Sequence, residues 1–369
     1  MRVSVVIPCF NSLEFLPETL DSVLNQDLPG TLIGSYEVVL VDDGGSDNLE
    51  QWLDGWLQEW FSRRPSSLRS EVDVRVVRQE NAGVSAARNL GIESARGDLI
   101  AFCDSDDLWT PTTARNLAAC FEVEPKGGDR TSGADQAKGA PLSKGIGFAY
   151  GWYDVIDSAG EPNGRVIRSD ASGDAWDYLV TRNPISASGV MVRREAFDDV
   201  GTFAVNRDRF RIDVEDWEMW IRLAARWRVG LVPEVVTRHR RHDSNSSSDV
   251  DSLEAAYANL LDVVFADVSP ERAALRPIAT ARTQMILAWQ SLNDQENPKK
   301  ALAHLATANR NAPELRRTFE YWRLRIAATG LRLTGPLGYT ALRRANWILR
   351  RVINLLPLAR FRRDGSFIP

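Results

Sequence analysis

Cysteine is scarce in this chain: Cys9, Cys103 and Cys120 are the only three among 369 residues. Three scattered thiols cannot build a disulfide framework, so the fold has to rest on a buried apolar core, and the pattern suits a reducing compartment. Cys9 and Cys103 each close an apolar run and read as small buried thiols. Long hydrophobic runs are missing as well. No stretch approaches the roughly eighteen apolar residues that a bilayer-spanning helix needs. The opening Met1–Pro8 holds too short an apolar run for a secretory leader, and no small-residue cleavage pattern follows it. The expected location is the cytoplasm. No internal repeat and no recognised nucleic-acid-binding module is visible, and with an acidic body this excludes nucleic acid as a partner.

What is present is ordinary in amount and uneven in placement. Hydrophobic residues make up 44% and charged residues 26%, as in a globular protein of one large or two modest domains. The net charge is −5. Residues 311–369 hold twelve arginines against Glu314, Glu320 and Asp364, a net of +9, which leaves −14 on the first 310 residues. A basic tail on an acidic body points to an anionic partner for the tail.

The first 110 residues alternate apolar runs with helical patterns. Strands are expected at Val3–Ile7, Glu37–Val41, Val72–Val77 and Leu99–Cys103, and helices at Leu13–Leu24, Asn48–Phe61 and Val84–Ala95. That alternation predicts an α/β fold, a mostly parallel central sheet with helices on both faces. Ligands of such sheets bind beyond the C-terminal ends of the strands. Polar residues stand at those ends: Asn11, then Asp42-Asp43, then Asp104-Ser105-Asp106-Asp107. If the backbone stays extended there, Asp104 and Asp106 point the same way. Crowded carboxylates repel unless water or a hard cation intervenes, so this set reads either as a Mg²⁺ or Mn²⁺ site for a diphosphate or as a solvated acidic turn.

Residues 124–147 are rich in Gly, Lys, Ser, Asp and Pro and read as a mobile surface loop or a lid. Farther on, Phe148–Tyr153 and Gly189–Arg193 look like strands and Ala175–Thr181 and Asp216–Trp227 like helices. In the last of these Trp217 and Trp220 read as core, with sugar platforms as the other reading. Residues 250–357 are helical in pattern, so residues 246–369 are expected to form a basic α-helical region.

Val3–Asn11, Leu20–Gln26, Val38–Asp47, Glu80–Gly91 and Asp104–Asp107, in that order and spacing, closely resemble family 2 glycosyltransferases of the GT-A fold, over about residues 1–245. The resemblance implies an inverting, metal-dependent enzyme that takes a nucleotide-sugar donor. It places Pro8 and Asn11 beside the nucleoside. Asp43 matches the carboxylate that accepts the imide N–H of uracil, with Asp42 beside it to orient the loop. Arg88 matches the nucleotide-side arginine, paired with Asp43 or a phosphate. Asp104 is assigned to the ribose, and Asp106 to the Mn²⁺ or Mg²⁺ that neutralises the leaving diphosphate. Gly45 is an extra residue relative to many family members, which leaves the placing of Ser46 and Asp47 open.

Asp213–Leu223 resembles the family's Glu-Asp motif at a helix start. Asp216 aligns with the catalytic base, with Glu215 supporting it, and the helix N-terminus is expected to keep Asp216 ionised at neutral pH. The bland alternative is helix capping. Arg238–Ser246 resembles the segment that closes over the diphosphate. Arg240 is matched to the donor and His242 to the metal, with the register between His239 and His242 open. The implied function is transfer of a sugar from a nucleotide-diphosphate donor, UDP-sugars favoured, to a hydroxyl of a glycan or lipid-linked acceptor in cell-envelope polysaccharide assembly. The competing readings are a non-catalytic sugar-binding or scaffold protein on the same fold, and a nucleotidyltransferase. The latter usually has a Gly-rich basic loop where this chain has Pro8-Cys9-Phe10-Asn11. For the tail, Ala341–Leu356 reads as an amphipathic helix, with residues 337–363 either lying on the inner face of a membrane or packed on the protein or on a second copy in a homo-oligomer.

Overall fold

The structure, a computed structural model, describes residues 1–28, 30–64, 73–122, 144–205, 214–242, 250–293 and 295–335. Most of the expected loop at 124–147, all of 337–363, and Asp213 and Asp243–Ser246 of the two downstream motifs lie outside the described residues. The described residues fall into two compact units. One takes in 1–179, 183–205 and 215–242, and the other 180–182, 214 and 250–335.

The first unit is built on one nine-stranded sheet. Its strands are β1 (Arg2–Cys9), β2 (Ser35–Asp42), β3 (Asp73–Arg78), β4 (Leu99–Phe102), β5 (Leu108–Trp109), β6 (Ile146–Ile156), β7 (Pro162–Ile167), β8 (Val190–Arg193) and β9 (Arg228–Arg240). The order is β3-β2-β1-β4-β8-β6-β9-β5, with β7 beside β6. β1, β2, β3 and β4 pair in parallel, β8 runs against both β4 and β6, and β9 is again parallel to β6. The sheet is therefore mixed, with the strands that carry the first motifs all parallel. All of β1 after Arg2 is buried, as an unbroken Val/Ile run between two helical layers should be.

The helices follow the strands: α1 (Leu16–Leu24), α2 (Leu49–Ser62), α3 (Val84–Ser94), α4 (Thr113–Ala119), α5 (Trp176–Leu179), α6 (Arg194–Val200) and α7 (Glu215–Ala224). α3 lies hard against β1, where a Cβ at Gly91 would meet Val6 Cγ1 at 2.2 Å. α3 starts after Gly83, whose φ of +91° suits glycine alone. Trp217 and Trp220 are both buried, and Trp220 stacks on Phe148, so the core reading of these tryptophans holds. Between Gly151↔Val232 and Trp152↔Val235 the β6–β9 register skips Pro233 and Glu234. A proline cannot donate to the ladder, and the bulge absorbs it. β9 then continues to Arg240 and carries its last residues past β5.

The second unit is helical. It contains α8 (Val250–Val264), α9 (Pro270–Ala273), α10 (Arg276–Asn293), α11 (Pro298–Asn311) and a helix over 319–335, with a core that includes Met285, Leu292, Leu305, Tyr321 and Leu331.

Candidate active site

β4 stops at Phe102, and the backbone turns at once: the Asp107 amide donates to the Asp104 carbonyl at 3.1 Å. The strand does not continue through the acidic set, so alternation does not relate Asp104 to Asp106. A β-turn does the placing instead. Inside it Asp107, fully buried, has a different task from its neighbours. It accepts from Ser188 Oγ at 2.5 Å and from the Arg240 amide at 2.8 Å, and its carboxylate meets His239 Nδ1 at 3.2 Å. Ser188 Oγ also accepts from the Asp104 amide at 2.9 Å. Asp107 thus pins the turn to β9 and to the segment before β8.

The pinned turn presents Asp104 and Asp106. Asp104 Oδ1 accepts from Arg88 Nη2 at 2.8 Å, and Arg88 Nη1 reaches Glu215 Oε1 at 3.1 Å. Arg88 is buried. Its carboxylate partners are Asp104 and Glu215 rather than the expected Asp43. Burial works against its charge, but the two carboxylates, with Asp216 adding to them, more than offset that cost and hold the guanidinium charged. One arginine therefore joins the end of β4 to the start of α7.

Asp216, next along α7, accepts from the Trp217 amide of the first helical turn. Sequence reasoning expected that helix end to keep Asp216 ionised. Its carboxyl is instead pushed up to about 8, because burial outweighs every other influence and Glu215 adds repulsion, against the pull of Arg88 and the Trp217 amide. Asp216 keeps some accessible surface, yet it lies deep enough among protein atoms for desolvation to set the direction. Tyr153 on β6 links this acid to the turn. It faces His239 edge-on at 6.1 Å, and the charges of both Asp216 and Asp107 add to the effect of burial in raising its phenol.

Asp106 Oδ2 lies 2.8 Å from His242 Nε2, and the His242 ring stacks on Phe15 at 4.9 Å. Burial first, then Asp107 and Asp104, raise the Asp106 carboxyl to about 6, with the His242 contact opposing them. For His239 burial acts in the opposite sense and would lower the imidazole, but the carboxylates, Asp107 foremost, raise it to about 9. The two histidines thus take different partners, His239 with Asp107 and His242 with Asp106. Arg240, which the resemblance matches to the donor, makes several contacts within the protein. It is buried, and its guanidinium donates to the Asp106 carbonyl at 2.9 Å, the Ser158 carbonyl at 3.0 Å and Glu18 Oε2 at 2.7 Å, with Phe15 beneath it. In this structure it buttresses the Asp106 turn.

Asn11, Asp42 and Asp43 form a neighbouring group at the ends of β1 and β2. Asp43 Oδ1 accepts from Gln79 Nε2 at 2.7 Å and the Ala82 amide at 2.8 Å, and Oδ2 from the Gly83 amide at 2.9 Å, which leaves one lone-pair direction on Oδ2. Asp42 Oδ1 accepts from the Gly45 amide at 2.8 Å, so Asp42 does shape the loop. Asn11, at φ +50°, takes both the amide and the hydroxyl of Ser46, and Asp47 takes the Ser12 amide. The loop with the extra Gly45 is thus closed back onto the exit of β1. Pro8 sits within β1, opposite Val41.

Among the described residues no group of three or more His, Cys, Asp and Glu side chains is arranged to hold a metal ion by itself. The chemistry of Asp106 and His242 nevertheless suits a divalent cation that takes its other ligands from phosphate oxygens and water. A hard carboxylate and an imidazole face each other, and the carboxylate is crowded by like charge. Sequence reasoning missed Ser188, Phe15 and Glu18. Each acts through a contact more than eighty residues away along the chain, and no local motif signals it.

The order of the sheet and the acidic turn at the end of β4 define a GT-A architecture, and comparison with known proteins agrees. Residues 4–146 match the model described as glycosyl transferase family 2. The chain is similar to the uncharacterized glycosyltransferase YwdF of Bacillus subtilis, with 26% identity over 270 residues, 71% of this chain and 83% of that one. Two further curated relatives are matched over only 37% and 56% of their own length. Among solved structures, S. aureus TarS 1-349 in complex with UDP-GlcNAc superposes with a TM-score of 0.53 at 17% identity, covering 100% of this chain and 96% of that one. The mannosyltransferase PcManGT of Pyrobaculum calidifontis in complex with GDP-Man and Mn²⁺ gives 0.51 at 19% identity, covering 97% and 88%. These likenesses establish the fold.

Proposed function

We propose that this protein moves a sugar from a nucleoside-diphosphate donor, with UDP-sugars favoured, to a hydroxyl of a glycan or glycolipid acceptor, with inversion at the anomeric carbon. The observation that carries this reading is the Asp104–Arg88–Glu215 bridge. It ties the acidic turn at the end of β4 to the start of α7 and so holds Asp216 beside Asp104. An acid at the donor end and an acid at the acceptor end are what an inverting displacement requires.

In the reaction the acceptor hydroxyl attacks C1 of the sugar, the bond from C1 to the diphosphate breaks, and the hydroxyl proton goes to Asp216. Burial that raises the Asp216 carboxyl makes its ionised form a stronger base, and the fixed charge of Arg88 limits the rise. Glu215 holds Arg88 in place. Asp43 keeps one acceptor direction for the imide N–H of a uracil, while its other bonds fix the Gln79–Gly83 turn. Asp106 and His242 would hold Mn²⁺ or Mg²⁺, which when bound neutralises charge on the departing diphosphate. The nucleotide sugars in the TarS and PcManGT structures, and the Mn²⁺ in the latter, support the donor class and the metal. The setting is assembly of a cell-envelope polysaccharide.

The test is a screen of nucleotide sugars with Mn²⁺ by thermal shift, followed by transfer assays on Asp216→Asn. The amide cannot accept the proton but fills the same space. The expected result is donor affinity within about threefold of wild type and a transfer rate reduced by about 10³-fold or more. Wild-type transfer by Asp216→Asn would remove Asp216 from the role.

A further inference from the structure

The helix over 319–335 has two apolar faces. Tyr321, Leu324, Ala328 and Leu331 are buried in the core of the helical unit. On its other side Phe319 is 79% exposed, Trp322 48%, Ile326 67% and Leu333 79%. At about 100° per residue these four project within an arc of about 60°, diametrically opposite the buried four. Scattered single apolar residues are common on surfaces, but four of the largest side chains on one narrow stripe are not.

The flanks of the stripe are basic. Arg325 and Arg332 lie along one side and Arg323 along the other, while Arg316 and Arg317 stand just before the helix. Arg325 also rests over the Trp322 ring at 5.6 Å. The acids of this segment are Glu314 and Glu320, and Glu320 is engaged by Arg282. The segment is therefore net positive on a chain of net charge −5, and the sequence beyond it adds seven arginines and one aspartate. A second copy of this helix would bring arginine flanks against arginine flanks. An anionic lipid surface satisfies both features, with headgroups for the arginines and the acyl boundary for Phe, Trp, Ile and Leu. No helix among the described residues is long and apolar enough to cross a membrane, so the helix would lie in the surface plane.

We propose that the Phe319–Leu333 stripe is a docking face for anionic phospholipid headgroups and the acyl layer beneath them. This rests on the helical unit alone and stands or falls separately from the catalytic reading. The test is flotation of the full-length protein with vesicles of phosphatidylglycerol and phosphatidylcholine, against phosphatidylcholine alone. Two variants are compared, Phe319→Ser/Ile326→Ser and Arg325→Glu/Arg332→Glu, whose residues are exposed and whose folding is checked by circular dichroism. Wild type is expected to float with the anionic vesicles only, to be released by high salt, and to lose at least tenfold in binding in each variant. Three results would overturn the proposal: no binding by wild type, binding unchanged in both variants (which would place the contact elsewhere in the chain), or a wild-type oligomer that Phe319→Ser/Ile326→Ser splits while vesicles are ignored.

Discussion

At the scale of the residue, Asp216 concentrates the conflict between stability and chemistry. Folding places its carboxyl where the charged form is disfavoured, to about 8, well above its value in an unfolded chain. The folded state therefore keeps a proton that the unfolded state has already released between about pH 4 and 8, so this group's contribution to stability falls as pH rises through that window. Asp216→Asn removes the burden, and its melting temperature near pH 8 is expected to exceed wild type by about 1–3 °C, read by scanning calorimetry. Activity runs the opposite way. A base works deprotonated, so the transfer rate should climb with pH toward a midpoint near 8, and Asp216→Asn should lose that limb of the profile. Asp216 itself was legible from its place in Glu215-Asp216 before an amphipathic run. Its raised carboxyl was not, because a helix N-terminus is visible in sequence whereas the packing that strips water from a side chain is not.

At the scale of the element, the acidic turn is positioned by Ser188, 81 residues downstream of Asp107, and by the end of β9, 133 residues downstream. Asp107 reads in sequence as a third acid of a cation site, and the structure makes it an anchor bonded to Ser188, His239 and Arg240. Ser188→Ala removes the hydroxyl that serves both Asp107 and the Asp104 amide and leaves a fully buried carboxylate oxygen short of a partner. A loss of about 1–3 kcal/mol in denaturant unfolding is expected, together with weaker donor binding. A merely surface role for Ser188 would leave both unchanged. The β-strand run of the first hundred residues was readable because parallel strands buried on both faces are unbroken Val/Ile/Leu segments. The two-residue β5 and the register of β9 were not, since each exists only through its partner. The same holds for Arg240, whose match to a donor ligand gave no hint of Glu18, Ser158 and the Asp106 carbonyl around it.

At the scale of the whole molecule, one apolar core among the described residues packs against the sheet, and a separate one lies among α10, α11 and the 319–335 helix. Leu305→Ala opens a cavity in the second core only, with an expected cost of about 2–5 kcal/mol to that unit. Donor affinity, a property of the first unit in this account, should stay within about twofold. A parallel loss of donor binding at temperatures where the variant is folded would contradict that division. In the sequence, strand–helix alternation gives way to a continuous helical pattern near residue 250. The exposed stripe beside the arginines was half visible: sequence shows the apolar positions, but only packing shows which of them the core leaves out.

The central claim is that acids from distant parts of the chain meet around one donor diphosphate. Its most direct test is calorimetric titration of the nucleotide sugar selected by the thermal-shift screen, with and without Mn²⁺, into wild type, Asp106→Ala and Asp216→Asn. The account predicts Mn²⁺-dependent binding by wild type and Asp216→Asn alike, and at least a tenfold loss confined to Asp106→Ala. Binding by Asp106→Ala with the wild-type constant and the same response to Mn²⁺ would contradict it.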